Sequence, residues 1–341
     1  MTYNKPLLII GNGARGLDWT KFGIPIVTTR LGIDLIESDH PLFAGRYGLF
    51  TDTPSYLAVK NADNIEVIGA RLDPGFAGYN FKDFSPQATI TIMDIDEQEV
   101  KKFPFDERVI AFKGTAQDLY KDKIKYTKKL DYSPWINQIH AWQKKYPLKL
   151  TGSYKVIREI SDQATKDDVI VVDTSSSFHI AAQVWQIKKG QRYITTGGIS
   201  TMGYWPASIG ASLASGKRVI CITGDGCLQM NIQELATVVK NKLNIKIFVL
   251  NNNGYLLIRH TQKKYFHNVM GEGPKTGLGF PNFKLIAKAY KIRYATNIRQ
   301  ALNYKEPVLC ELFTPYWEKL QGRLDSIQDE FASKRNSNQT Y

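Results

Sequence analysis

Cysteine is scarce in this sequence: Cys221, Cys227 and Cys310 are the three cysteines among 341 residues. Their odd number and wide spacing argue against a disulfide framework or a zinc site, and two of them lie in apolar, strand-like sequence. No stretch approaches the roughly 18 consecutive apolar residues that a membrane-spanning helix requires. The N-terminus lacks the apolar core and the cleavage site of a signal peptide. These absences predict a cytoplasmic protein with reduced thiols and no membrane segment.

Acidic residues are in the minority, since 32 Asp and Glu stand against 45 Lys and Arg and the net charge is +13. An excess of this size raises the question of nucleic-acid binding. The basic residues are dispersed, however, and no aromatic-basic RNA signature is present. A Lys-rich solvated surface is therefore the favoured interpretation, with no nucleic-acid partner. Affinity for phosphorylated or carboxylated small molecules fits the charge equally well.

Strand-like and helix-like segments alternate along most of the chain, which implies parallel sheets covered by helices on both faces. We therefore predict an α/β protein with two doubly wound parallel-sheet domains, for which 341 residues are long enough. The expected domains are residues 1–130 and 151–320. A charged, poorly periodic linker is expected at 131–150, within which Trp135–Lys145 could form one short helix, and a polar tail at 321–341.

A formal G-x-G-x-x-G motif spans Gly11–Gly16, directly after the strand-like run Lys5–Ile10. Such a motif can bind the diphosphate of a dinucleotide, which would make the chain a nicotinamide-dependent reductase. Two features argue against that alternative. No full-length amphipathic helix separates the motif from the next strand, Ile24–Thr28, and that strand ends in Thr29-Arg30 without an acidic residue to hold a ribose.

The most informative stretch is Gly224–Gly254. A buried strand leads into Gly224-Asp225-Gly226, and a second one, Ile245–Leu250, leads into Asn251-Asn252-Asn253-Gly254. We expect a helix between them at Ile232–Asn241, capped by Asn231. Because parallel strands end at the same edge of a sheet, Asp225 and Asn252 should lie close together.

Carboxylate and amide oxygens of this kind are ligands for Mg²⁺, which commonly bridges to phosphate oxygens. The backbone N–H groups of Gly226 and Cys227 could bind the same anion. A second anion site could form at Ser175-Ser176-Ser177, because hydroxyls and free N–H groups meet at a helix N-terminus. Plain helix capping by serine is the alternative there, as an ordinary turn is for Gly224-Asp225-Gly226 taken alone.

The Gly-Asp-Gly motif followed at this distance by Asn-Asn resembles the diphosphate and Mg²⁺ motif of thiamine-diphosphate-dependent enzymes. The flanking sequence is most similar to the catalytic large subunit of acetolactate synthase. The resemblance implies that Asp225 and Asn252 ligate Mg²⁺ through their side chains and Gly254 through its carbonyl. It also implies contacts to the diphosphate, from Ser175, Ser176, Ser177, Gly224, Gly226 and Cys227.

The same resemblance extends to the rest of the chain. It implies that Met202 shapes the bound cofactor, with a core methionine as the alternative, and that a backbone carbonyl near Ser200 accepts a proton from the aminopyrimidine. Residues 1–130 are similar to the family's central domain, which often holds FAD, and residues 151–320 to its diphosphate-binding domain. Arg71 falls at the place of a flavin-contacting arginine, although a surface arginine is an equal alternative.

Two of the family's three domains are recognisable in the sequence. The third binds the aminopyrimidine and supplies an activating glutamate, so we expect a separate pyrimidine-binding-domain subunit within a homo- or hetero-oligomer. The expected activity is that of a split 2-oxo acid decarboxylase or carboligase acting on a substrate such as pyruvate. A non-catalytic cofactor-binding subunit or a fragment is the alternative. Gly75 and Thr261 replace the acceptor-binding arginine and tryptophan of acetolactate synthase, so the acceptor could be a keto acid, a keto-sugar, an aldehyde or none.

Overall fold

Short aliphatic runs form the strands of this protein, since β-branched and leucine side chains fit a sheet that is buried on both faces. The computed structural model describes residues 3–48, 51–78, 81–102, 106–126, 130–196 and 201–322. In this part of the chain the strands are β1 (Pro6–Ile10), β2 (Ile26–Thr28), β3 (Phe43–Arg46), β4 (Asn64–Ile68), β5 (Thr89–Asp94), β6 (Val109–Lys113), β7 (Val169–Val172), β8 (Arg192–Thr195), β9 (Val219–Gly224), β10 (Ile245–Asn251), β11 (Arg293–Ala295) and β12 (Val308–Phe313).

Helices connect most of these strands. The α-helices are α1 (Thr53–Asn61), α2 (Pro74–Ala77), α3 (Glu97–Val100), α4 (Ala116–Tyr126), α5 (Ser133–Lys145), α6 (Gly152–Gln163), α7 (Ser176–Val184), α8 (Ala207–Ser215), α9 (Asp225–Gln229), α10 (Leu235–Lys240), α11 (Leu256–Tyr265), α12 (Phe283–Ala289) and α13 (Ile298–Asn303). Short 3₁₀ helices lie at Asn12–Ala14, Trp19–Phe22, Arg30–Leu35, Phe81–Asp83, Ile232–Glu234 and Pro274–Thr276.

The first sheet is parallel throughout, with the strand order β3-β2-β1-β4-β5-β6. Successive side chains of a strand point to opposite faces of a sheet. In β1, Leu7 and Ile9 accordingly belong to one apolar core, and Leu8 and Ile10 belong to another. Both faces are therefore covered, as expected for a doubly wound sheet. The chain reverses direction across the sheet between β1 and β4, which is the position where open α/β sheets bind ligands.

The second sheet is also parallel, with the order β11-β12-β10-β9-β7-β8. Its reversal point lies between β7 and β9, so the segments that follow these strands, beginning at Asp173 and Asp225, flank one crevice. Two six-stranded parallel sheets in the described residues confirm the predicted α/β class with two doubly wound domains.

The two sheets belong to two compact units: within the described residues, the first comprises those up to Leu148 together with 321–322, and the second comprises Lys149–Leu320. The segment 131–150, expected as a linker that could hold one short helix, contains α5, and this helix belongs to the first unit. Trp135 and Ile139 of α5 are buried in the same core as β1, and the Trp135 indole donates a hydrogen bond to the carbonyl of Pro6 at 3.0 Å. Of the expected tail at 321–341, residues 323–341 lie outside the described part of the chain.

All three cysteines are buried and free of disulfide bonds. Cys221 and Cys310 lie within β9 and β12, as the apolar sequence around them indicated. Across the described ranges, no helix has both the length and the apolar character needed to cross a bilayer.

Candidate functional site

The carboxyl ends of β9 and β10 lie side by side, because the two strands pair in parallel with Leu250 opposite Gly224. The carboxylate of Asp225 follows β9 at once and is almost completely buried. One of its oxygens accepts a hydrogen bond from the Gly226 N–H at 2.7 Å, and the other accepts one from the Gly254 N–H at 3.0 Å. A single side chain thus connects the Gly-Asp-Gly turn to the asparagine-rich turn.

Asn252 contributes an oxygen that the rest of the described structure does not use. Its side chain is 7% exposed, yet its Oδ1 atom accepts no hydrogen bond from any described residue. Buried amide oxygens are rarely left in this state, because an unmade hydrogen bond costs about 1–3 kcal/mol. Asn252 and Asp225 line the same small cavity of about 20 Å³, which is room for an ion or a single water molecule.

The electrostatics of this cavity favour a cation. Burial disfavours the charged form of Asp225 and raises the pKa of its carboxyl to about 6, although the N–H groups of Gly254 and Gly226 counteract part of this effect. Within the described ranges, no group of three or more His, Cys, Asp and Glu could hold a metal ion. A cation here would therefore depend on amide and carbonyl oxygens in addition to one carboxylate, a donor set that suits Mg²⁺.

Both glycines of this region are required by their surroundings. Gly254 has φ +149°, and a Cβ added to it would lie 2.0 Å from a guanidinium nitrogen of Arg259. A Cβ on Gly226 would lie 1.9 Å from the ring of Tyr255. Neither position can accept a side chain without displacing its neighbour, so both turns have one fixed backbone path.

The serine loop after β7 lines the same cavity through Ser175, Ser176 and Ser177. Ser175 has φ 68° and ψ −146°, a conformation that costs a non-glycine residue of order 1–3 kcal/mol. Its side chain makes no capping hydrogen bond to α7, which does not support plain N-capping by Ser175. The first N–H groups of α7 have no partners within the helix. Backbone strain at the N-terminus of a helix is typical of a loop that binds an anion.

Met202 also lines this cavity, and the loop that carries it is held by a carboxylate that sequence reasoning missed. Asp173 is fully buried and accepts hydrogen bonds from the N–H groups of Tyr204 at 3.0 Å and Trp205 at 3.1 Å. It also accepts from the hydroxyl of Thr223 at 3.0 Å. Burial raises the pKa of the Asp173 carboxyl above its ordinary value. An acid at the end of a buried strand was the available signal.

The predicted capping role of Asn231 is wrong. Its side chain makes no capping bond, and the expected helix is divided into a 3₁₀ turn, Ile232–Glu234, and α10. Instead, the Asn231 amide donates to the carbonyl of Gly203 at 2.6 Å, next to Met202. Ser200 belongs to residues 197–200, which lie outside the described part of the chain.

The glycine motif of the first unit has a different geometry. The N–H groups of Gly11 and Gly13 donate to the carbonyls of Ile68 and Gly69, each at 3.0 Å, and the next two N–H groups bond within the motif. These donors are therefore not directed at a ligand. Two short 3₁₀ helices, and no longer helix, separate β1 from β2 within residues 3–48. Arg71 is 71% exposed and donates to Glu99 at 2.9 Å.

Comparison with known proteins gives consistent matches for both units. Residues 2–118 match the family described as "Thiamine pyrophosphate enzyme, central domain", and residues 173–312 match "Thiamine pyrophosphate enzyme, C-terminal TPP binding domain".

Among curated proteins, the chain is similar to acetolactate synthase large subunits. That of Cyanidium caldarium is 33% identical over 288 residues, which cover 79% of this chain and 48% of the relative. That of Porphyra purpurea is 30% identical over 344 residues, covering 90% and 56%. The isozyme 2 large subunit of Escherichia coli K12 is 29% identical over 303 residues, covering 84% and 54%. The chain spans about half the length of these relatives.

Proposed function

The chain belongs to the thiamine pyrophosphate enzymes, and from that premise we propose that it binds thiamine diphosphate and Mg²⁺ at the edge of its second sheet. We propose further that it acts in a 2-oxo acid decarboxylase or carboligase similar to acetolactate synthase. The observation that carries the proposal is the unpartnered amide oxygen of Asn252 in the same cavity as the Asp225 carboxylate. A hard cation would satisfy both groups.

Each residue of the cavity has a distinct part in this proposal. Asp225 and Asn252 would hold the metal through side-chain oxygens, and Gly254 through its carbonyl. The diphosphate would be bound by the serine loop and by backbone N–H groups, from Ser175, Ser176, Ser177, Gly224, Gly226 and Cys227. The Gly226 N–H, which donates to Asp225 in this structure, would exchange that bond for one to the diphosphate. Because the cavity has a volume of only about 20 Å³, admission of a diphosphate requires lining side chains to shift. A carbonyl near Ser200 as acceptor for the aminopyrimidine stays a prediction.

When bound, thiamine diphosphate supplies a carbon nucleophile and an electron sink for the decarboxylation of a 2-oxo acid such as pyruvate. The residues of this chain bind and orient it. Asp225 neutralises charge at the metal, and the backbone donors of the serine loop neutralise charge at the anion. Met202 presents an adaptable apolar surface against which a ring can rest. The hydrogen bonds of Asp173 and Asn231 fix the loop that carries Met202.

Removal of the C2 proton of thiamine diphosphate needs a group that we do not assign to the described residues. We propose that a pyrimidine-binding domain supplies the activating glutamate, and a separate subunit carrying that domain remains our prediction for its source. For the acceptor, a keto acid, a keto-sugar, an aldehyde or none are the candidates. Gly75, at the place of the acceptor-binding arginine, has its carbonyl bonded to Arg30 at 2.8 Å, and Thr261 is exposed on α11.

Calorimetric titration with thiamine diphosphate, with and without Mg²⁺, tests the proposal. The wild-type chain should bind only in the presence of Mg²⁺. Asp225→Asn should weaken binding by more than about 100-fold, since changes to the partners of metal ligands already cost about 10- to 100-fold. The matched control is Asp94→Asn at the carboxyl end of β5 in the first unit, which should bind as wild type. Binding by Asp225→Asn equal to that of wild type would overturn the proposal.

The three other expectations have their own measurements. A non-catalytic cofactor-binding subunit would bind thiamine diphosphate but add no decarboxylation to a preparation that contains the pyrimidine-binding domain. The FAD expectation for the first unit is tested by the visible absorbance spectrum of the purified protein. The dinucleotide alternative requires nicotinamide binding that depends on Gly11–Gly16, a motif whose N–H groups at positions 11, 13, 14 and 15 are bonded within the protein.

A further inference from the structure

A buried ion pair lies directly behind the asparagine-rich turn. Arg259 of α11 donates through Nε to a carboxylate oxygen of Glu272, and the two side chains are 2% and 0% exposed. Removing two charges from water is costly, and buried pairs are often replaceable by apolar residues without loss of stability. A role in fixing one local conformation is therefore a better explanation for this pair than stability alone.

The pair grips the turn between Asn252 and Tyr255 from two sides. The Arg259 guanidinium donates to the carbonyl of Asn253 at 2.9 Å, and the carbonyl of Glu272 accepts a hydrogen bond from the Tyr255 N–H at 2.8 Å. Gly254, between these two contacts, packs so closely that an added Cβ would lie 2.0 Å from Arg259 and 2.1 Å from the Glu272 carbonyl. The path of this turn is thus defined by Arg259 and Glu272.

The turn needs such support because its backbone is unusual. Asn253 has φ 58°, in the left-handed region, and is followed by Gly254 with φ +149°. Conformations of this kind persist where the surrounding structure imposes them. The same turn carries Asn252 on one side, and the Gly254 N–H that bonds to Asp225 on the other. A shift of the turn would move the proposed metal ligands relative to one another.

Tyr316 completes the arrangement by bonding both members of the pair. Its hydroxyl donates to Glu272 at 2.7 Å, its carbonyl accepts from Arg259, and its ring lies 3.5 Å from the guanidinium carbon. Glu272 also accepts from the hydroxyl of Thr276 at 3.3 Å. With these contacts both charged side chains are extensively hydrogen-bonded, which makes the pair rigid.

We propose that Arg259 and Glu272 are positioning residues that hold the turn Asn252–Gly254 in the geometry that binds Mg²⁺. This inference rests on the proposed function, because it assigns a role relative to that metal site. The inference extends the proposed function to two residues that would touch neither the metal nor the diphosphate. Partners that orient metal ligands typically contribute about 10- to 100-fold to metal affinity.

The chain offers a closely matched control for this proposal. Like Arg259, Arg218 pairs with a buried carboxylate and bonds a backbone carbonyl: it contacts Asp168 at two points, both at 2.7 Å, and donates to the carbonyl of Leu302 at 2.9 Å. It precedes β9, at the amino edge of the same sheet, away from the carboxyl ends of the strands. Removing it should lower stability without disturbing the turn at Asn252.

The experiment measures the dissociation constant of Mg²⁺ in the full chain, from thiamine diphosphate titrations at increasing Mg²⁺ concentrations. Arg259→Met should raise that constant by about 10- to 100-fold, and Arg259→Lys should raise it less, since lysine keeps the charge but cannot make all the hydrogen bonds. Arg218→Met should leave it unchanged while lowering the melting temperature. Mn²⁺ can be bound in place of Mg²⁺, and its electron paramagnetic resonance spectrum should change with Arg259→Met and not with Arg218→Met.

The outcomes separate the two levels of the argument. Absence of Mg²⁺-dependent binding in the wild-type chain, both alone and mixed with a preparation that contains the pyrimidine-binding domain, would overturn the proposed function itself. Wild-type binding that Arg259→Met and Arg259→Lys both retain in full would overturn the positioning role alone. If Arg259→Met does not fold, Arg259→Lys and Tyr316→Phe decide, because each removes hydrogen bonds without leaving Glu272 unpaired. A raised Mg²⁺ constant in both supports the role, and wild-type values in both contradict it.

Discussion

The two sheets reverse their strand order at equivalent positions, but the loops at these two positions carry different groups. Those of the first sheet are bonded to each other through their backbones, and those of the second begin with buried carboxylates. In the first sheet, the loops after β1 and β4 are joined by their own backbones, with the N–H of Gly13 on the carbonyl of Gly69 at 3.0 Å. In the second sheet, the segments after β7 and β9 begin with the buried carboxylates Asp173 and Asp225. At the first edge the N–H groups of the glycine motif are bonded within the protein, whereas at the second edge the Asn252 oxygen is unpartnered.

The difference shows that the architecture supplies a place for a ligand and that the loops decide whether one is bound. A glycine-rich motif at a reversal point is not sufficient, because its N–H groups can bind a neighbouring strand end in place of a phosphate. At the second edge, strain at Ser175 and the buried acid Asp225 are both costly features. Costs of this kind, concentrated at one cavity, are typical of functional sites.

Among the tests of this difference between the two edges, the largest effect on stability is expected from a pair of glycine substitutions, one at each edge. An added Cβ would lie 2.5 Å from Gly13 in Gly69→Ala and 2.0 Å from Arg259 in Gly254→Ala, and both positions have positive φ. Backbone strain and overpacking should lower the free energy of unfolding by about 2–6 kcal/mol in each variant. Calorimetric unfolding measures this loss.

Thiamine diphosphate binding should respond to one of the two substitutions only. Gly254→Ala should abolish Mg²⁺-dependent binding, and Gly69→Ala should retain it at temperatures where the protein is folded. Gly271→Ala is the matched control within the second unit, because Gly271 has φ 61° but no atom within 4 Å of the added Cβ. If Gly69→Ala also lost binding, the separation between the two edges would not hold.

A smaller effect is expected at Asp173, where the second edge has a carboxylate and the first has Gly11. In Asp173→Asn one acceptor oxygen becomes a donor, which leaves the Trp205 N–H without its present partner. One buried unpaired donor should cost about 1–3 kcal/mol of unfolding free energy. Hydrogen exchange should become faster in peptides covering 201–206, while peptides of the first sheet keep their rates. Unchanged exchange at 201–206 would show that Asp173 does not anchor the Met202 loop.

Charge within the strands gives a third comparison. Glu66 of β4 faces a counter-ion, Lys123, at 2.7 Å, whereas the buried Lys246 of β10 donates to a carbonyl, that of Glu306, at 2.6 Å. Burial lowers the pKa of Lys246 from 10.5 to about 8. Between these values the unfolded chain binds more protons than the folded one, so stability contributed at this site rises with pH across that window.

Lys246→Met should remove this pH dependence. The difference in unfolding free energy between the variant and wild type should change by about 1–2 kcal/mol between pH 7 and pH 10, after allowance for solvent screening near the half-exposed Glu306. Urea unfolding at the two pH values measures it. At neutral pH, where the lysine is charged in both states, the variant should be at least as stable as wild type. A constant difference across the window would contradict the lowered pKa.

The sequence predicted those features that local patterns encode. Aliphatic runs such as Val219–Thr223 and Ile245–Leu250 had one satisfactory explanation, a strand buried on both faces, and the resulting parallel sheets are confirmed. The placement of Asp225 and Asn252 along one cavity followed from parallel pairing and strand ends alone. These inferences needed no knowledge of which side chains meet across distant segments.

The features that sequence reasoning missed depend on tertiary contacts between residues that are far apart in the sequence. Asn231 fits a capping pattern, but its amide bonds to Gly203, 28 residues earlier, because that tertiary contact satisfies it instead. No local sequence pattern around Arg259 predicts its contacts with Glu272 and Tyr316. A short helix was expected at the place of α5, but the burial of its Trp135 and Ile139 in the core of the first unit was not, because that packing depends on residues far away in the sequence.

The smallest effect on stability is expected at Arg71, and its substitution tests whether the first unit binds flavin through this residue. Its pair with Glu99 is 71% exposed on the arginine side, and an exposed pair contributes less than about 1 kcal/mol. Arg71→Ala should therefore leave the unfolding free energy almost unchanged. If the purified wild-type protein carries flavin, the variant should carry less, as read from visible absorbance, with Lys82→Ala as an exposed control. Equal flavin content in wild type and Arg71→Ala would identify Arg71 as a surface residue that makes no contact with the flavin.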